Sequence, residues 1–162
     1  MTPKTPNTRL LLDNIRSVHN VGSIFRTADT LGISHIYCVG TTPVPVDRFD
    51  RKRKDFTKVS LGAEDSVKWE YVENKNCASL IQSLKKEGLK VVALEQSSDS
   101  IDYKEVKLNG LDSLIILGSE VEGVSPELLK LSDLIAEIPM KGKKESLNVS
   151  VAIAVFLYRL LD

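Results

Sequence analysis

Apolar residues fall along this chain in two alternating rhythms, short unbroken runs and helix-spaced stripes, and the alternation predicts an architecture. Arg9–Leu12 reads as a strand. Val21, Ile24, Phe25, Ala28 and Leu31 then share one arc at about 100° per residue, with Ser23, Arg26 and Thr30 opposite, which predicts an amphipathic helix. Asn20 precedes that arc and is placed as its N-cap. His35–Val39 is the next strand. Gly40–Asp65, with Pro43, Pro45 and a basic run, reads as a long loop with room for one short helix, and Lys68–Val72 as a brief strand. Leu80, Ile81 and Leu84 predict a helix over Cys77–Glu87, with Gly88 placed to end it.

Leu89–Leu94 and Ser113–Leu117 are continuous apolar runs, the mark of strands covered on both faces. Ser125-Pro126-Glu127 opens a helix with a capping Ser, a Pro in the first turn and an acid at the positive end. Asp133–Ile138 is a further strand and Asn148–Leu161 a last helix, apolar almost all round from Val149 to Leu157. Such a helix must be buried on more than one side, and a domain of this size rarely encloses one, so a subunit interface is the economical explanation. Strands alternating with helices predict an α/β fold with a mostly parallel sheet. The expectation is one domain over residues 1–162, with Met1–Thr8, polar and carrying two prolines, flexible.

Charge narrows the picture. Lys plus Arg and Asp plus Glu number 22 each, so bulk charge cannot hold a nucleic acid; a local patch or an assembled oligomer would have to. Arg51, Lys52, Arg53 and Lys54 form the main patch, extended by Lys58 and diluted by Asp50 and Asp55, with a smaller one at Lys141, Lys143 and Lys144. A solvated loop is the plain alternative for both. Cys38 and Cys77 lack partners at metal-ligand spacing, Cys38 reading as a small buried residue, so neither metal nor disulfide is expected. Without a signal-like apolar core or a spanning run, the expectation is a soluble, cytoplasmic protein with no membrane partner.

Three segments carry more polar chemistry than folding requires. Asn14–Gly32 sets two Asn, two Arg, a His and Gly22 around one helix start, where anions bind readily; a capped helix with a solvated Arg is the bland reading. Gly118-Ser-Glu120-Val-Glu-Gly123 follows a strand, where open α/β sheets place ligands. It lacks the middle glycine of a dinucleotide fingerprint, and its acids would repel a pyrophosphate, which argues against a nicotinamide enzyme. An ordinary strand-to-helix turn is the alternative. Ile138–Ser150 brings Ser146, Asn148 and Ser150 to one helix entrance, where one capping side chain suffices.

In order and spacing these segments closely resemble the motifs of the SpoU (TrmH-like) family of RNA 2′-O-ribose methyltransferases, of the SPOUT class. Asn20 and Arg26 match the first motif, Gly118, Ser119, Glu120 and Gly123 the second, and Ile138–Met140 with Ser146–Ala152 the third; Ser60–Glu64 matches a further family stretch. The resemblance runs from about Leu10 to the C-terminus. It implies a parallel-sheet fold with a C-terminal deep trefoil knot, a homodimer, and S-adenosylmethionine bound at Leu94, Gly118, Ile138 and Leu147. It implies catalytic roles for Arg26, Asn20, Glu120, Ser146 and Asn148, and RNA as substrate, tRNA before ribosomal RNA. Many relatives carry an extra N-terminal RNA-binding domain. Here the core follows Met1–Thr8 directly, so Arg51, Lys52, Arg53 and Lys54 and the Lys141–Lys144 loop are expected to hold RNA.

The implied reaction is in-line attack of a ribose 2′-oxygen on the methyl carbon of a sulfonium, an electrophile that needs no metal. Arginine is a poor base, because its guanidinium holds its proton. Arg26 is therefore expected to clamp an RNA phosphate and steady the developing alkoxide, with the proton acceptor open. His19 reads as a loop residue. A non-catalytic RNA- or SAM-binding module on the same fold is the rival, disfavoured by the intact Asn20, Arg26, Glu120 and Asn148 set.

Overall fold

The structure is a computed structural model and describes residues 5–162; half of the expected flexible segment lies outside them. Thr8 itself is not a loose end. It opens β1 (Thr8–Asp13), and the preceding Asn7 carbonyl accepts the Ser113 N–H at 2.9 Å.

Seven strands form one sheet in the order β3-β2-β1-β6-β4-β7-β5, every pair parallel. They are β1, β2 (His35–Val39), β3 (Lys68–Val72), β4 (Lys90–Leu94), β5 (Ile101–Asp102), β6 (Ser113–Gly118) and β7 (Leu134–Glu137). The helices are α1 (Val18–Thr30), α2 (Lys54–Ser60), α3 (Ala63–Ser66), α4 (Asn74–Lys86), α5 (Pro126–Leu131) and α6 (Val149–Leu161). The continuous apolar runs are explained by layers on both faces. Leu10, Leu12, Ile115 and Leu117 pack towards Ile24 and Phe25 of α1 and Ile153 and Phe156 of α6. Their neighbours Leu11, Leu114 and Ile116 pack towards Ile81 and Leu84 of α4 and Leu128 of α5. Alternate side chains thus feed two cores, and polar alternation has no place in these strands.

Three expectations change. The first helix starts a turn earlier than its apolar arc: Ser17 is the N-cap, its Oγ accepting the Asn20 N–H at 3.2 Å. Asn20 is therefore not a cap, and His19 lies in the first helical turn, exposed, rather than in a loop. The long Gly40–Asp65 region holds two short helices, α2 and α3. Phe56 of α2 meets Phe25 edge-on at 5.1 Å, and a Cβ on Gly22 would stand 2.9 Å from Val59 Cβ, so α1 needs glycine there for α2 to dock. The two-residue β5 and the 3-10 turn Tyr103–Glu105 carry no periodicity that a sequence could display.

β7 fills a slot between β4 and β5, although β4 and β5 are joined directly by residues 95–100. The chain beyond β7 then runs against that connection, where Gln96 Nε2 donates to the Glu145 carbonyl at 2.8 Å. No helix among the described residues is long and apolar enough to cross a membrane. Burial pushes the Cys38 thiol up to about 12, as suits a small core residue.

Candidate active site

In an all-parallel sheet every carboxyl end lies along one edge, and the loops after β4, β6 and β7 meet there. They enclose a cleft of about 530 Å3. Leu94, Gly118, Ile138 and Leu147 all line it, as do Glu120 and Ser146, so residues spread over about a third of the chain converge in one cavity.

The loop after β6 is shaped by its glycines for different reasons. Gly123 takes φ +67°, and its N–H donates to the Ser119 carbonyl at 2.8 Å. Gly118 has ordinary backbone angles but no room: a Cβ would stand 2.0 Å from the Gly123 carbonyl carbon. Its smallness admits the chain's own return rather than a ligand.

Glu95, just past β4, was not singled out by any motif. Its Oε2 accepts the Val124 N–H at 2.8 Å and its Oε1 the Gln96 N–H at 2.9 Å. A Cβ on Gly123 would stand 2.2 Å from Glu95 Oε2, so this carboxylate and that glycine fit each other. The other side of the loop is held by buried Asp13, whose Oδ2 accepts the Ser125 N–H at 2.9 Å. Ser125 opens α5 without a side-chain cap bond. A lone acidic residue at a strand end could have flagged Glu95 or Asp13, but only as one among the chain's 22 acids.

At the cleft mouth Asn148 Nδ2 donates to Asn20 Oδ1 at 3.1 Å and to Glu120 Oε1 at 3.2 Å. The same Glu120 oxygen accepts the Val149 N–H at 3.4 Å. Asn148 Oδ1 meanwhile caps α6, accepting the Ser150 N–H at 2.9 Å and the Val151 N–H at 3.4 Å. One side chain thus uses its acceptor for the helix and its donors for the two other motifs. Ser146 lines the cleft without joining this cluster. On the far side of Glu120 a smaller recess of about 150 Å3 is lined by Arg16, Ser17 and Asn20, sharing the loop Ser119–Glu122 with the cleft as a wall.

Arg26 is elsewhere. It is exposed, six residues beyond Asn20 and hence about 9 Å further along α1, and its side chain makes no hydrogen bond or ion pair with Asn20, Glu120 or Asn148. The basic run is also less free than its composition suggests. Arg51 pairs with Asp47 at 2.9 Å, Lys52 with Asp65 at 2.6 Å and Arg53 with Asp55 at 2.8 Å, whereas Lys54 at the start of α2 has no ion pair among the described residues. Lys141, Lys143 and Lys144 are exposed on the loop beside the cleft.

A cleft at the carboxyl edge of a parallel sheet, apolar on its walls and rimmed by carboxylates, has the chemistry to suit a small amphipathic ligand with a cationic end. The chain belongs to the SpoU rRNA Methylase family, whose model matches residues 7–158. It is 31% identical over 148 residues to the tRNA (guanosine(18)-2′-O)-methyltransferase of Aquifex aeolicus, covering 90% of this chain and 64% of that protein. It is 32% identical over 160 residues to the 23S rRNA (guanosine-2′-O-)-methyltransferase RlmB of Coxiella burnetii, covering 96% and 58%. Among solved structures, an AdoMet-bound rRNA methyltransferase from Sinorhizobium meliloti superposes with a TM-score of 0.83 at 27% identity, over 98% of this chain and 57% of that one. The chain therefore spans about three-fifths of the length of these relatives.

Proposed function

We propose that this chain is an S-adenosylmethionine-dependent RNA methyltransferase acting on a ribose 2′-hydroxyl, with tRNA as its substrate. One observation carries the reading: Asn20, Glu120 and Asn148, one from each motif, are hydrogen-bonded together at the mouth of the cleft that Leu94, Gly118, Ile138 and Leu147 line. A non-catalytic binder has no use for such an alignment apparatus. Ribosomal RNA is the second reading, favoured by the Coxiella relative's name.

The cleft suits the methyl donor. Its volume falls within the range of small-molecule sites, its Leu and Ile walls can flank an adenine, and Glu95, Glu120, Glu122 and Glu137 surround it with negative charge fit for a sulfonium and an ammonium. S-adenosylmethionine supplies an electrophilic methyl group on a neutral leaving thioether. The chain's own part is alignment, which can contribute about 7–11 kcal/mol when atoms are held near attack geometry. Glu120 and Asn148 fix the wall between cleft and recess, and Asn20 and Arg16 line the recess where a ribose and its phosphate would enter.

Within its own chain the Arg26 side chain makes no hydrogen bond or ion pair with this cluster, so the reading assigns its delivery to a second copy. Val151, Val155 and Tyr158 on α6 remain 48%, 38% and 52% exposed, an apolar face on the helix that packs beside α1. A homodimer through that face would cover it and bring Arg26 to a neighbouring cleft. The single-domain organisation over 1–162, the cytoplasmic location and the C-terminal trefoil knot belong to the same reading. The late insertion of β7 between β4 and β5 supports the knot.

The test is incubation with S-adenosylmethionine carrying a labelled methyl group and total RNA, followed by nucleoside analysis. Label in 2′-O-methyl nucleosides of the tRNA fraction is expected. Cofactor binding without label in any RNA would leave only the binding module.

A further inference from the structure

The turn between β2 and α2 holds up an aromatic ring that the fold does not use. Phe49 is 62% exposed. Its position is set by the backbone around it: Asp47 Oδ1 accepts the N–H of Phe49 at 2.8 Å and of Arg51 at 3.1 Å, and the Asp47 carbonyl accepts the Asp50 N–H at 3.0 Å. Val46 and Lys52 pair across the base of the turn, and the Arg53 N–H reaches the Pro45 carbonyl at 2.9 Å. The ring is thus presented by an ordered turn rather than by a loose loop.

Two guanidinium groups attend it. Arg48 Cζ lies 4.8 Å and Arg51 Cζ 5.1 Å from the ring centroid. Arg51 is fixed by Asp47, whereas Arg48 has no ion pair among the described residues. With Lys52 and Arg53 also held by carboxylates, the run is a poor plain phosphate patch. What it offers at its tip is an exposed aromatic ring, one fixed guanidinium plane and one cation with no ion pair among the described residues. That set fits a nucleobase stacked on the ring or a guanidinium, with the adjoining phosphate on Arg48. A base inside a helix has both faces covered by its neighbours, so only an unpaired, splayed base can use it. The turn follows the carboxyl end of β2, on the same sheet edge as the cleft, so an RNA strand crossing that edge can meet both.

We propose that Phe49, with Arg48 and Arg51, is a stacking site for an unpaired nucleobase of the RNA substrate. The choice of RNA as ligand rests on the methyltransferase reading above.

The experiment measures binding of two fluorescent probes by the full chain: a mixed-sequence single-stranded RNA 12-mer and a blunt 12-base-pair RNA duplex. Wild type should bind the single strand more tightly. Phe49→Ala should weaken that binding about 5- to 150-fold, as loss of one stacked base does, and abolish the preference. Phe49→Leu should lose as much, since it keeps apolar bulk without a π-face, while Phe49→Trp should retain binding. S-adenosylmethionine affinity and melting temperature should stay at wild-type values in all three. Equal binding of the single strand by wild type and Phe49→Ala, or full retention by Phe49→Leu, would overturn the stacking site. Neither result touches the methyltransferase reading, which falls only if wild type transfers no methyl group to RNA.

Discussion

Asn20 and Asn148, 128 positions apart, share a hydrogen bond of 3.1 Å that ties the start of α1 to the start of α6. Asn148 is also the cap of α6, and the two duties can be separated. Aspartate caps a helix as well as asparagine does but has no N–H to give, and it would set a second carboxylate against Glu120. Asn148→Asp should therefore melt close to wild type yet lose at least tenfold in methyl transfer. Asn148→Ala should lose activity and also about 1 kcal/mol of stability. An active Asn148→Asp would reduce the cluster to a capping arrangement.

Arg26→Ala should fold, bind S-adenosylmethionine normally and lose nearly all methyl transfer, because Arg26 is exposed and outside the cleft. If a second copy delivers it, mixing inactive Arg26→Ala with inactive Asn148→Ala and allowing subunits to exchange should restore part of the activity. Mixed dimers then contain one cleft with both residues intact. Failure to recover any activity after verified exchange would count against a shared site.

Glu95 braces the loop after β6 through the Val124 N–H while its other oxygen accepts the neighbouring Gln96 N–H, and an amide can replace only one of its two acceptor oxygens. Glu95→Gln should lower S-adenosylmethionine affinity about tenfold and stability by about 1–3 kcal/mol, read by calorimetry and denaturant titration. Gly123→Ala should do the same from the other side, since it combines φ +67° with a clash against Glu95. Wild-type cofactor affinity in both variants would show that the brace does not shape the cleft.

His35 offers a pH test away from the site. Burial, aided by the positive charges of Arg9 and Lys68 and opposed by Glu70, holds its imidazole below the ordinary value of 6.5. The unfolded chain then takes up this proton more readily than the folded one. The associated stability is present above about pH 6.5 and is lost as pH falls through that value towards the folded pKa. Melting temperature should drop between pH 7.5 and 5.5, and less so in His35→Gln. Equal slopes for the two proteins would exclude His35 as the source.

What the amino-acid order determined by itself is local or repetitive. The runs at His35–Val39 and Ser113–Leu117, each buried by a layer on either face, declare strands because every side chain meets a core. The stripe of α1 and the Asn148 cap declare helices, and the motif spacing of Asn20, Glu120 and Asn148 declares the family. The apolar girdle of α6 likewise predicted a face left uncovered in one chain, and Val151, Val155 and Tyr158 form it. Tertiary structure decided the rest. That Asn20 bonds Asn148 rather than capping its own helix depends on Ser17 taking the cap, a choice that two polar residues three positions apart cannot signal. Glu95 became a brace only because β4 ends beside the turn at Gly123, and the basic run lost most of its free charge to Asp47, Asp55 and Asp65. Periodicity reports what each residue faces along its own element. Which distant group stands opposite is set by how strands are ordered across the sheet, and no local pattern encodes that order.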